Sequence, residues 1–111
     1  MKINECTWNV KTAFGQKLMT AEILRKTPNI YETDGVTDKV LTAHFFVGNF
    51  DAYLVELDPV TGEAFGYIGF NNEFELGYFS IPELAKSSIG GFPVERDRYF
   101  ERCNASKILC A

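Results

Sequence analysis

Two pairs of carboxylates stand two residues apart, Glu56 with Asp58 and Glu73 with Glu75. In an extended strand that spacing puts both side chains on one face. There a pair can divide general acid and base roles or share a divalent cation. Glu63 joins them across a turn. The same spacing is common on solvated strands, and the rest of a reaction centre is not evident. His44 is the only histidine, and no Ser, Thr or Cys is tied to it as a nucleophile. Gly66-Tyr67-Ile68-Gly69 and Gly90-Gly91 lack the strand–glycines–helix setting that phosphate binding needs. Cys6, Cys103 and Cys110 are an odd number without metal-ligand spacing. They read as reduced thiols of a cytosolic protein, a bridge from Cys6 to Cys103 or Cys110 being the alternative. No catalytic residue, metal site or cofactor is expected. In Glu95-Arg96-Asp97, an arginine between two acids either locks the C-terminal arm to a sheet through a bidentate bond or serves as a recognition residue in a groove.

The elements that must position these groups run from Ala52 to Ile81. Asp58-Pro59-Val60-Thr61-Gly62 is a turn: proline presets φ early in the loop and glycine accepts a positive φ at its end. With Asp58 and Glu63 as the closing pair, Leu57 faces Ala64, Val55 faces Gly66 and Tyr53 faces Ile68 on the core side, while Glu56 faces Phe65 and Leu54 faces Tyr67 on the other. Gly66 and Gly69 mark a bulge or a close backbone approach. Asn71-Asn72 tolerates positive φ and makes the next turn. Ser80-Ile81-Pro82-Glu83 is a capping box with proline in the first turn, so a helix of about two turns follows and ends before Gly90-Gly91.

Upstream, Lys39–Val47 is a strand, with Leu41, Ala43, Phe45 and Val47 on one side and Val40, Thr42, His44 and Phe46 on the other. Gly48 to Asp51 is the turn after it. A hydrogen-bonded, partly buried imidazole is the plain reading of His44. Leu18–Lys26 is a short helix capped at Thr20 and stopped by Pro28. Asn29 to Asp38 is a loop. Thr7–Thr12 alternates like a short edge strand, with Trp8 as a core lid. Downstream, Glu95–Arg102 is an edge strand or extended arm anchored by Tyr99 or Phe100, and Lys107–Cys110 adds a last short strand. Together these make one α+β domain over residues 1–111: an antiparallel sheet of four to five strands with two short helices. The expected core is Leu41, Phe45, Val55, Leu57, Ile68, Leu76, Phe79 and Leu84.

The net charge of −4 conceals a segregation. Residues 40–85 contain seven acids and no Lys or Arg, whereas 1–39 and 86–111 are mildly basic. An acidic rim keeps a sheet soluble, and it also suits a basic partner. No apolar run reaches membrane-spanning length. Met1-Lys2-Ile3-Asn4-Glu5 leads into no apolar h-region, so no secretory signal is expected.

Three segments in order carry a resemblance: Leu57-Asp58-Pro59 with Gly62 and Phe65-Gly66-Tyr67, then Glu75 to Leu84, then Val94 to Phe100. With Leu18–Glu22 as an opening helix, residues 18–100 resemble a small bacterial domain-of-unknown-function family, numbered twenty-nine fifty-eight in that series. Residues 1–17 stand as an N-terminal extension. The resemblance implies a protein of plasmids, phages and integrative elements, often near conjugation or anti-restriction genes. It brings no established activity. Family members usually show a lysine in the first strand and a tryptophan opening the second, where this chain has His44 and Ala52 or Tyr53.

The expected function is a non-enzymatic, cytoplasmic binding protein of a mobile genetic element, of the anti-defence type. It would present an acidic face of Glu56, Asp58, Glu63, Glu73 and Glu75, with Arg96 as a further binding residue, to a basic host or mobile-element protein. One alternative is a single-stranded nucleic-acid-binding module stacking bases on Phe65, Tyr67, Phe79 and Tyr99, which the missing Lys and Arg disfavour. The other is a metal-dependent enzyme holding two or more of Glu56, Glu73 and Glu75 in a pocket.

Overall fold

The computed structural model describes residues 6–109. Its alternating apolar stretches become strands β1 (Val40–Leu41), β2 (Ala43–Val47), β3 (Phe50–Leu57), β4 (Glu63–Phe70) and β5 (Glu73–Ser80). Two more short strands, β6 (Ser88–Ile89) and β7 (Phe92–Pro93), form a separate hairpin about Gly90-Gly91. Then come β8 (Glu95–Arg96) and β9 (Cys103–Asn104). The main sheet is antiparallel in the order β5-β4-β3-β2-β8, and β9 pairs with β1. Tight turns join the long strands. Gly48-Asn49 alone links β2 to β3, shorter than expected, and Asn71-Asn72 links β4 to β5 with both residues at positive φ.

Helices α1 (Ala21–Lys26) and α2 (Ile81–Lys86) start where their caps place them. The Thr20 and Ser80 hydroxyls accept from the N–H groups of Ile23 and Glu83. A third helix, α3 (Ala105–Leu109), occupies the place where a strand was expected at Lys107–Cys110, of which Cys110 lies outside the described residues. Its first turn is held by a residue distant in sequence. Asp38 accepts from the Ser106 N–H (2.9 Å) and hydroxyl (2.7 Å), and these bonds keep its carboxyl below the usual range.

The central register departs from expectation after two pairs. Leu57 faces Ala64 and Glu56 faces Phe65, but Leu54 then faces Gly66, Tyr53 faces Tyr67 and Ala52 faces Ile68. Val55 is an extra residue in β3, a β-bulge. Gly66 permits it, because a Cβ there would lie 1.9 Å from Tyr53 O. The bulge exchanges faces along β3. Leu57, Leu54 and Ala52 point to one core, and Val55 and Tyr53 join Glu56 on the opposite side. A break at Thr42 has the same consequence for Leu41, which is separated from Ala43, Phe45 and Val47.

The sheet is therefore covered on two sides. Trp8, Leu18 and Met19, together with Ile23 and Leu24 of α1 and Ile81 and Ala85 of α2, pack on Phe45, Leu54 and Leu57. On the reverse, Ala105, Leu109 and Phe100 pack on Leu41, Tyr53 and Val55. Trp8 is the lid it was expected to be, and its Nε1 donates to Pro59 O (2.9 Å). The segment around it is not a strand; a single bridge joins Lys11 to Lys17. Of the expected core, Ile68, Phe79 and Leu84 are half-buried against the first cluster, while Leu76 is 44 % exposed. Strand β5 is an edge, and the side that Leu76 occupies is covered only in part: Phe74 packs on the second cluster, while Leu76 and Tyr78 stay exposed.

Candidate functional site

Glu56 does not belong to a surface. It is 1 % exposed, on the second face of β3. The Tyr31 N–H donates to its Oε1 (2.8 Å), and the Thr33 N–H donates to its Oε2 (2.9 Å), as does the Thr33 hydroxyl. Lys39 Nζ reinforces the loop by donating to Thr33 O (2.6 Å) and Val36 O (2.9 Å). A buried carboxylate with three donors is an anchor for residues 31–36, so Glu56 is withdrawn from the acidic face.

The remaining acids fall into two groups. Asp58 is half-buried and caps its own turn, accepting from the Val60 N–H (2.8 Å). With Glu63 and Glu83 it borders a shallow depression beside Tyr78, Phe79 and Ser80. Glu73 and Glu75 are exposed at the other end of the hairpin, around a second depression with Phe50, Ile68 and Phe70. Glu63 pairs with Ser80 and Glu75 with Ile68. Five residues of strand separate the groups, about 17 Å at ~3.3 Å per residue. That is beyond a Debye length of about 8–10 Å, so the fields of the two groups do not merge into one patch. Alternation also places Glu63 on one side of the hairpin and Glu73 with Glu75 on the other.

On the Glu63 side of the hairpin lies an exposed apolar stripe that the sequence did not disclose. Leu76 and Tyr78, 44 % and 51 % exposed, point from β5 on the same side as Tyr67 and Phe65 of β4. Phe65 and Tyr78 pack with ring centroids 4.9 Å apart. Tyr31, 67 % exposed, lies beside them: its neighbouring phenol first, and desolvation second, push the Tyr78 phenol above its ordinary value. Tyr31 sits at φ +74, costly for a bulky side chain. The bond from its N–H to buried Glu56 holds it there. Glu56 thus contributes to the surface indirectly, by positioning an aromatic ring.

His44 is the hydrogen-bonded, partly buried imidazole expected, and the structure supplies its partners. Its Nε2 lies 2.7 Å from Asp51 Oδ1 and its Nδ1 3.0 Å from Asp97 Oδ2. Its ring stacks on Tyr53 at 4.4 Å and 8°. Only the doubly protonated imidazole donates to both carboxylates. With both nitrogens engaged, neither is available as a base toward a substrate. Desolvation pushes the Asp97 carboxyl up, but hydrogen bonds from His44 and the Tyr99 N–H outweigh it and hold the group below its usual value. The link to Asp51 was within reach of the sequence. Once a two-residue turn pairs Phe46 with Asp51, His44 is its diagonal neighbour on the same face. Asp97 arrives from a distant edge strand and gives no such local signal.

Arg96 is held by neither flanking acid. Its Nη1 donates to Lys17 O, while its backbone N–H donates to Gln16 Oε1 (2.8 Å). It does lock the C-terminal arm, but to the N-terminal segment. Phe100 is the arm's anchor, and Tyr99 is 86 % exposed.

The two alternative sites are scattered. Phe65 and Tyr67 lie on one side of the sheet, Phe79 on the other, and Tyr99 beyond the far edge strand. Glu56 is on the face opposite Glu73 and Glu75, and among the described residues no three His, Cys, Asp or Glu converge as metal ligands. No helix among the described residues is long and apolar enough to cross a membrane. No protein-family model matches the chain, and no curated protein or solved structure matches it.

Proposed function

We propose that the protein is a non-enzymatic binding protein of a mobile genetic element, docking its β4–β5 hairpin on a basic surface of a host defence or DNA-handling protein. One observation supports this above the others. Tyr31, Leu76 and Tyr78 form an exposed apolar stripe; Glu63 stands at one end of it on the same side of the hairpin, and Glu73 and Glu75 stand near its other end on the opposite side. Apolar and aromatic anchors inside a charged rim are the usual anatomy of a protein interface. The rim is of one sign, because residues 40–85 contain no Lys or Arg. Such a rim speeds encounter with a basic partner, and the stripe slows its departure. The engagement of both His44 nitrogens agrees with a non-catalytic role. The mobile-element setting follows from the resemblance of residues 18–100.

The test is kinetic. A partner captured from a bacterial host would be measured against the wild type, a Glu73→Lys/Glu75→Lys variant and a Leu76→Ala/Tyr78→Ala variant. Charge reversal should slow association and flatten its salt dependence. The alanine pair should raise the dissociation rate roughly tenfold or more at near-constant association. A partner whose rates ignore both variants binds elsewhere, and the hairpin reading then fails.

A further inference from the structure

Residues 97–102 leave the sheet edge and return to it. The Asp97 N–H donates to His44 O (2.8 Å), and Cys103 pairs with Leu41. Between these attachments the chain arches outward, and a cleft of about 420 Å³ opens between the arch, Thr42 and Ala43 at the sheet edge, and α1. That volume is in the range of small-molecule sites.

Four cations line the cleft: Lys26 from α1, Arg96 from β8, and Arg98 and Arg102 from the arch. Lys26 is paired with Glu22 at 2.7 Å. Among the described residues, Arg98 and Arg102 make no ion pair or side-chain hydrogen bond. Glu101, next to Arg102, is exposed in the same lining, and Asp97, next to Arg98, is already engaged. Asp97 gives Oδ2 to His44 and Oδ1 to the Tyr99 N–H, so it is turned to the sheet and its own turn. Arg96 feels the crowding: desolvation first, and the Arg98 charge second, bring it below the ordinary arginine value. Like charges gathered around a concavity, in a chain of net charge −4, are a cost that a bound anion relieves.

We infer that this cleft binds a small phosphate-bearing anion, a phosphate ester or diphosphate, with Arg98 and Arg102 as its main ligands and Arg96 behind them. Guanidinium forks match phosphate oxygens two at a time. A small ligand fits better than a nucleic-acid strand. Glu22 and Glu101 are exposed in the same lining, and the strands beyond, residues 40–85, offer no cation to a continuing phosphate chain. The cleft lies at the β8 edge, with three strands between it and β5, so its occupancy is independent of the hairpin interface.

The full-length ¹⁵N-labelled protein would be titrated with inorganic pyrophosphate and, separately, with an eight-residue oligothymidylate. Pyrophosphate should move the amides of Thr42–His44 and Arg96–Arg102, saturating at about millimolar concentration or below. An Arg98→Gln/Arg102→Gln variant should weaken that binding roughly tenfold or more. Its melting temperature should stay near wild type, since both side chains are exposed and unpaired. Shifts that are absent, that fail to saturate, that include Lys11 and Lys17 equally, or that persist in the variant would overturn the site. Oligothymidylate binding without pyrophosphate binding would overturn the small-ligand assignment.

Discussion

The two halves of the sheet use the same residue types to opposite ends. In the inner half, β2 and β3, both faces are covered, and every polar side chain named above has a partner inside the protein: Glu56 with the 31–33 loop, His44 with Asp51 and Asp97. In the outer half, β4 and β5, one face is only partly covered. There Leu76, Tyr78 and Glu63 face solvent on one side, and Glu73 and Glu75 on the other. An acid or an aromatic residue in this sequence is therefore not a site by its type. It is structural where two layers close over it and available where the sheet runs out of cover.

The largest expected contrast is apolar. Leu57 is fully buried beside the first core, and Leu57→Ala should cost about 2–5 kcal/mol. Leu76→Ala, at the exposed edge, should stay within about 1 kcal/mol. Urea melts of both variants check this. Comparable losses would mean that the outer half is as closely packed as the inner.

A second contrast concerns the carboxylates. Glu56→Gln keeps the shape but turns an NH2 donor toward one side of the site, against the Tyr31 N–H or the two Thr33 donors, and we expect a loss of about 2–3 kcal/mol. It should also release Tyr31 from its positive φ, seen as faster amide exchange at Tyr31 and Thr33. Glu75→Gln should change stability by no more than about 0.5 kcal/mol. If Glu56→Gln leaves exchange at Tyr31 and Thr33 unaltered, the carboxylate does not hold the loop.

What was legible in the sequence was what is decided locally. Pro59 with Gly62, Asn71-Asn72, Thr20, and Ser80 with Pro82 set their turns and caps within a few residues, and the structure has each of them. What was not legible depends on the strand across the way. The bulge at Val55 exists because Gly66, on the neighbouring strand, has no Cβ. Without the bulge, the faces of Leu54, Tyr53 and Val55 are assigned backwards. Leu76 alternates like a core residue, and only strand order reveals it as an edge residue. Glu56 reads as a surface residue in the sequence because its donors, Tyr31 and Thr33, lie more than twenty positions away in a loop with no periodic signal.

The smallest expected effect sharpens the comparison at the inner edge, where Asp97 ties β8 and the arch to His44. Its folded carboxyl lies below the ordinary value: desolvation opposes the ionised form, and the bonds from His44 and the Tyr99 N–H prevail. The sign follows from linkage. As pH falls, the unfolded chain takes up this proton first, near the ordinary value of about 4. Asp97 therefore contributes its full stabilisation above that value and loses it as pH falls through the lower folded value. In Asp97→Asn, part of the acid destabilisation should disappear, so the wild-type and variant melting temperatures should converge as pH drops from 5 toward 2. Asp38 is also lowered, by Ser106, and serves as the control. Asp38→Asn should remove a different part of the same acid limb and leave the His44 ring resonances in place, whereas Asp97→Asn should shift them. If the gap between wild type and Asp97→Asn is constant over that range, the contact with His44 does not depend on the charge of Asp97, and the arch is held by its backbone bond and Phe100 alone.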